Sequence, residues 1–159
     1  MNKEDKEKYI NRYNERLDEF GYDPRSLGWG TGGIERQYIR FKNLLEIDKF
    51  STKKVLSVLD IGCGFGDCCE YIKKINPQIS YTGVDINQSL IDIAKEKYPA
   101  GAFLCGDILE QKFYDLILNK SKKKFDIVIA SGVFNYKLTK ENQYNYIWGA
   151  ISLLHLKRF

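Results

Sequence analysis

The sequence predicts an open α/β domain: a doubly wound, mostly parallel sheet of about four strands, preceded by an N-terminal helical extension. Three observations carry this. From residue 55 onward, short apolar runs alternate with amphipathic stretches, strand then helix, four times. Such alternation builds a parallel sheet with helices on both faces, and right-handed crossovers make it open and doubly wound. The first apolar run ends in a carboxylate and a glycine-rich turn, as at the ligand-binding end of such a sheet. Ahead of residue 48 the pattern is helical only.

Residues 3–20 place Tyr9, Tyr13, Leu17 and Phe20 on one helical face, and Gly21-Tyr22-Asp23-Pro24 ends this helix. A glycine-rich connector follows, with Gly28, Gly30, Gly32 and Gly33 around Trp29. A second helix puts Ile34, Tyr38, Phe41 and Leu45 on one face. Residues 1–48 are therefore expected to form the extension, and 49–159 the α/β domain. Residues 55–60, VLSVLD, form a strand buried on both faces. The helix at 67–76 turns Cys68, Ile72 and Ile75 inward and stops at Asn76-Pro77. A strand at 80–85 precedes a helix at 88–98 that carries Ile91, Ala94 and Tyr98. A weak strand at 102–105 precedes a helix at 109–119 with Leu109, Phe113, Leu116 and Ile117. Residues 125–130, FDIVIA, form a strong strand, and Thr139 caps a last helix bearing Tyr144, Ile147, Trp148, Ile151 and Leu154.

Composition excludes several classes. The 159 residues are 43% apolar and 29% charged, an ordinary globular balance large enough for one core. No apolar run approaches the roughly 20 residues that span a bilayer. The N-terminus is charged throughout, unlike a signal peptide, which points to the cytoplasm. A net charge of +4 is too mild to mark a nucleic-acid binder, which clusters its basic residues on one face. The densest basic run, Lys120 and Lys122–Lys124, ends a helical pattern, where cations are favoured. The four cysteines, Cys63, Cys68, Cys69 and Cys105, match no zinc spacing, and His155 is the one histidine; no metal site is expected.

The chemistry concentrates in Asp60-Ile61-Gly62-Cys63-Gly64-Phe65-Gly66-Asp67. A buried strand ends in a carboxylate, and three alternate glycines lead into a helix. Glycine permits positive φ and removes the Cβ that would keep a ligand from the backbone. Free N–H groups at the helix start favour a polar or anionic ligand group. Asp85 closes the second strand 19 residues beyond Gly66, the place from which an acidic residue grips a ribose diol. Asp107 follows the third strand, where it can accept from an adenine amino group. Asp85 and Asp107 also have a plainer reading as starts of the helices behind them. Asp126 reads as a strand-edge carboxylate.

These segments resemble the class I S-adenosylmethionine-dependent methyltransferases. Residues 58–66, VLDIGCGFG, are similar to that family's first motif, Gly83-Val84-Asp85 to the second, Gly106-Asp107-Ile108 to the third, and residues 125–132, FDIVIASG, to the fourth. The match covers roughly 50–135, in order. It implies a Rossmann-like fold and S-adenosyl-L-methionine as cofactor, with S-adenosyl-L-homocysteine as product. It further implies that Gly62, Cys63 and Gly64 let the methionine part and ribose approach the backbone. Asp60 would hold the methionine amino group and Asp85 the ribose hydroxyls, with Ile86 packing on adenine. Asp107 would meet the adenine amino group with Ile108 nearby, and Ala130 and Ser131 would lie beside the sulfonium. The Trp29 to Gln37 region resembles the lids that close over this cofactor in the family, the 1–48 extension then forming the lid, and Trp29, Asn135 and Tyr136 are the candidate acceptor-side residues. A nicotinamide reading fits less well. The even glycine spacing departs from G-x-G-x-x-G, and Asp60 and Asp67 oppose a pyrophosphate.

The implied activity is methyl transfer to a small-molecule acceptor. A non-catalytic cofactor-binding module is the alternative, and RNA methylation a weaker one. No catalytic residue and no general base stands out. The family's domain has seven strands and this sequence holds four. The strand at 125–130 is therefore expected to be an exposed edge. Either the C-terminal strands are absent because the chain is a fragment, or a partner such as a second copy covers that edge.

Overall fold

The computed structural model describes residues 1–30, 33–45, 57–121 and 125–133. Helix α1 spans Lys3–Phe20, a 3-10 turn Pro24–Leu27, and α2 Gly33–Leu45. Then follow β1 (Ser57–Ile61), α3 (Asp67–Ile75), β2 (Ser80–Asp85), α4 (Gln88–Lys97), β3 (Ala102–Cys105), α5 (Gln111–Ser121) and β4 (Ile127–Ala130). The four strands are parallel in the order β3-β2-β1-β4. Leu59 of β1 lies between Thr82 of β2 and Val128 of β4.

This is the predicted architecture, and β1 shows why it forms. Every β1 residue is buried, so both faces need cover. Successive side chains alternate between the two faces. Val58 joins Tyr81, Phe103 and Ile129 in one core, closed by Cys68, Cys69 and Ile72 of α3, Ile91 and Ala94 of α4, and Phe41 and Leu45 of α2. Leu59 and Ile61 join Val84, Phe125 and Val133 in the other, closed by Phe113 and Ile117 of α5. Helices thus cover opposite faces of one sheet. Among the described residues no helix is long and apolar enough to cross a membrane.

The helical extension is clamped to the sheet domain by polar contacts. Asp67, the first residue of α3, accepts hydrogen bonds from Tyr22 Oη (2.5 Å), Tyr98 Oη (3.0 Å) and Gln37 Nε2 (2.9 Å). Gln37 is buried, so its amide needs this partner. Asn87, also buried, donates to Asn14 Oδ1 at 2.9 Å. Lys6 pairs with Glu110 at 2.9 Å, and the Met1 ammonium with Asp107 at 2.6 Å. Helix α1 therefore rests on the loops that follow β2 and β3.

Several expected details differ. Ile75 is exposed, because the helix ends there, beyond the buried line of Cys68, Cys69 and Ile72. Leu116 is exposed because Phe113 and Ile117, four apart, take the inward face. Ile34 is exposed: it lies a turn ahead of Tyr38 and Phe41, whose rings pack on Tyr71. Helix α5 begins at Gln111 rather than 109, since Leu109 and Glu110 donate back to Asp107. β4 begins at Ile127, because Asp126 turns its carboxylate to the Ser57 N–H and hydroxyl, both at 2.9 Å. Asp126 is thus a tie between β4 and β1 rather than a plain edge carboxylate. All four cysteines are free. Residues 46–56, the lysines 122–124, the helix expected after Thr139 and His155 lie outside the described residues.

Position 72 sits at 0% exposure and position 75 at 53%. Ile72→Ala is therefore expected to cost about 2–5 kcal/mol, and Ile75→Ala less than about 0.5 kcal/mol. Urea denaturation of the two variants checks this.

Candidate active site

The turn after β1 is held in register by the neighbouring strand. The Gly62 and Cys63 N–H groups both donate to the Val84 carbonyl, at 2.8 and 3.1 Å. Gly62 and Gly64 have φ of 72° and 55°, which side-chain-bearing residues rarely adopt. A Cβ at Gly62 would collide with Val133 Cγ2, and one at Gly64 would lie 2.9 Å from Leu27 Cδ2. The turn is thus pressed between the segment after β4 and the extension, with its backbone open to a cavity of about 540 Å³. Small-molecule sites commonly span about 300–1,000 Å³.

Two buried carboxylates line this cavity. Asp60 accepts from Tyr81 Oη at 2.7 Å. Asp85 accepts from the Gly64 N–H at 3.0 Å and the Asn87 N–H at 2.9 Å. Among the described residues neither is paired with a basic side chain. Burial pushes the Asp60 carboxyl up to about 7; the Tyr81 hydrogen bond pulls it back, and the charge of Asp85 adds to the rise. Burial also raises Asp85, against the backbone N–H groups that favour its ionised form. The Cys63 and Cys68 thiols, in the same lining, are held well above their ordinary range by burial.

One more polar group completes this end of the cavity. Ser131 Oγ, just after β4, is buried without a hydrogen-bond partner among the described residues, a costly state that a ligand can relieve. Two buried carboxylates with no basic partner among the described residues, the glycine backbone in the same lining and the Ser131 hydroxyl form a donor–acceptor set that fits S-adenosylmethionine. Its ammonium and sulfonium are cationic, and its ribose offers hydroxyl donors.

Of the residues expected from sequence, the structure brings together Asp60, Gly62, Cys63, Gly64, Asp85, Ser131 and Trp29. It does not bring Ile86, Asp107, Ile108 or Ala130 into the lining. Ile108 is packed in the core under α5. Asp107 is engaged by the Met1 ammonium and the Leu109 N–H. Asn135 and Tyr136 lie outside the described residues. The lining also holds residues that sequence reasoning missed: Tyr9, Arg12 and Tyr13 of α1, Leu27 and Gly28 of the 3-10 turn, and Arg36, Ile39, Arg40 and Asn43 of α2. One signal was present in α2. An apolar Ile39 interrupts the polar face on which Arg36 and Arg40 stand one turn apart.

A carboxylate raised to about 7 gives ligand binding a pH dependence of definite sign. Below that pH Asp60 is protonated and neutral, and it must lose its proton to meet an ammonium group. Affinity for S-adenosylhomocysteine is expected to fall as pH drops from about 7 to 5, by up to about tenfold per unit. Asp60→Asn flattens that dependence; calorimetric titration at several pH values measures both.

Comparison with known proteins accords with this geometry. Residues 59–152, more than half of the chain, match the family model described as a methyltransferase domain. A protein of Invertebrate iridescent virus 6 named as a methyltransferase, 235L, is 32% identical over 111 residues, covering 70% of this chain and 38% of that protein. The malonyl-[acyl-carrier protein] O-methyltransferase of Priestia megaterium is 34% identical over 71 residues, 42% of this chain and 26% of that one. The chain thus spans well under half the length of these relatives. Among solved structures, a TehB-like S-adenosylmethionine-dependent methyltransferase from Corynebacterium glutamicum aligns with 96% of this chain and 68% of its own, at a TM-score of 0.54 and 23% identity. An amino pentose methyltransferase from Micromonospora echinaspora, solved with S-adenosylmethionine bound, aligns with 74% of this chain and 46% of its own, at a TM-score of 0.60 and 16% identity. Likeness at such identities establishes the fold. With the family match, the strand order and the glycine turn between two buried carboxylates all in agreement, the chain belongs to the class I S-adenosylmethionine-dependent methyltransferases.

Proposed function

We propose that this chain binds S-adenosylmethionine in the cavity at the strand ends and transfers its methyl group to a small-molecule acceptor. The observation that carries the reading is the pair Asp60 and Asp85, buried beside a glycine backbone with no basic partner among the described residues. Two such carboxylates are costly to bury alone and are relieved by a cationic, hydroxyl-bearing ligand.

When bound, the cofactor supplies an electrophilic methyl on a sulfonium, already a good leaving group. The protein's share is alignment and exclusion of water. Asp60 opposes the ammonium of the methionine part. Asp85 accepts from the ribose hydroxyls, exchanging part of its present bond to Gly64. Gly62 and Gly64 admit the ligand to the backbone. Ser131 Oγ offers a hydrogen bond beside the methionine part. Neither Cys63 nor Cys68 acts as a thiolate at neutral pH, since burial keeps both protonated. Ile86 and Ile108 stand outside the cavity lining, so the adenine contacts implied by the resemblance are not carried by it, and Asp107 serves only if the Met1 ammonium yields its place. A small acceptor is favoured over RNA because the cavity is walled by the helical extension and the net charge is only +4. The relatives named for transfer to malonyl-[acyl-carrier protein] and the amino pentose enzyme show how varied acceptors are on this fold.

Calorimetric titration tests the reading. S-adenosylhomocysteine is expected to bind the wild-type chain, and Asp85→Asn to weaken it by about tenfold, roughly one charge-assisted hydrogen bond. Unchanged unfolding of the variant shows that the loss is local. Absence of binding by the folded wild-type chain overturns the reading. Binding without methyl transfer to any acceptor in a broad screen favours the non-catalytic module instead.

A further inference from the structure

The cavity has two electrical ends. The strand ends contribute Asp60 and Asp85, whereas the extension contributes Arg12, Arg36 and Arg40. Arg36 and Arg40 stand four residues apart on α2 and so share a face. Arg40 lays its guanidinium over the Trp29 ring, 4.6 Å from its centroid. Stacking of this kind uses the flat face of the group and leaves its in-plane N–H donors free. Among the described residues neither Arg36 nor Arg40 is paired with a carboxylate. Between them Ile39 lines the same cavity at 59% exposure, with the rings of Tyr9, Tyr13 and Trp29 nearby in the lining.

Charge counting separates this wall from the cofactor. S-adenosylmethionine carries a single carboxylate, and one guanidinium satisfies it in a bidentate pair. Arg36 and Arg40 both line the cavity without a carboxylate partner among the described residues, and the cofactor's single carboxylate leaves their donors in excess. A neutral acceptor gives them nothing to bind. A guanidinium pair beside exposed apolar side chains is the arrangement that captures an anionic group on an apolar body.

We propose that the Arg36–Arg40 face of α2, with Trp29 and Ile39, is the acceptor subsite, and that the methyl acceptor is a small apolar molecule bearing a carboxylate or phosphate. This rests on the methyl-transfer reading above. The anion fixes the acceptor's orientation at the extension while its nucleophilic atom faces the strand ends.

The test uses the chain saturated with S-adenosylhomocysteine and three probes of one shape: 2-naphthoate, 2-naphthyl phosphate and neutral 2-naphthamide. At least one anion is expected to bind about tenfold or more tightly than the amide. The better anion tells carboxylate from phosphate. Arg12→Gln, Arg36→Gln and Arg40→Gln are then compared singly. No more than one should weaken S-adenosylhomocysteine, that one holding the methionine carboxylate. At least one of Arg36→Gln and Arg40→Gln should keep cofactor affinity while losing most of the anion preference. Equal binding of anion and amide, or no binding of either, by protein that binds S-adenosylhomocysteine overturns the acceptor subsite alone. So does an anion preference that survives in both α2 variants. Failure of S-adenosylhomocysteine itself to bind overturns the cofactor reading, and this inference with it.

Discussion

Two carboxylates buried at the ends of adjacent parallel strands are the constraint on which the rest of this structure turns. Asp60 pairs across the ladder with Gly83, and Asp85 ends the neighbouring strand. Parallel registry brings both strand ends to one edge of the sheet, so the two negative groups share one cavity. Both side chains are buried, and their ionised forms are disfavoured. A chain evolved for stability alone has cheaper residues for these positions, since an apolar side chain costs nothing to bury. Their presence makes sense if a cationic ligand completes the site. The glycine turn, the buried Ser131 hydroxyl and residues of α1 and α2 border the same cavity.

The extension depends on the same end of the sheet. Asp67 opens α3 directly after the glycine turn, and it gathers Tyr22, Gln37 and Tyr98. The glycine turn and the clamp that seats the extension are thus successive residues. Leu27 presses on the space that a Cβ at Gly64 would fill. Arg36 and Arg40 stand on the same helix as Gln37, which donates to Asp67 and also lines the cavity.

Much of the sheet was legible in the sequence because burial on both faces writes long apolar runs. β2 and β3 fall at the predicted residues, and β1 runs one residue past its predicted end, to Ile61. The site's floor was legible for the same reason: Asp60 and Asp85 stand out as carboxylates at the ends of apolar strands. Its other wall was not. Arg12, Arg36 and Arg40 lie on helix faces that read as solvent-exposed, and exposure to a cavity leaves the same polar signature as exposure to water. Helix phase was the other weak point. Ile34, Ile75 and Leu116 are apolar and near the inward stripe, yet a step of one residue rotates a side chain by about 100° around the helix. The ties made by Asp67 and by Asp126, read as a strand-edge carboxylate, were not legible because their partners, Gln37 and Ser57, are distant in sequence.

The family supplies the cofactor, and the protein's own residues supply the argument for how it is held. The central claim is that Asp60 and Asp85 are one ligand's two anchors. A crystal structure of the chain with S-adenosylhomocysteine tests it most directly. The account predicts the ligand's amine within hydrogen-bond reach of Asp60 and its ribose hydroxyls on Asp85, with Ser131 Oγ newly bonded. A ligand seated elsewhere, or one that leaves both carboxylates as they stand now, would contradict it.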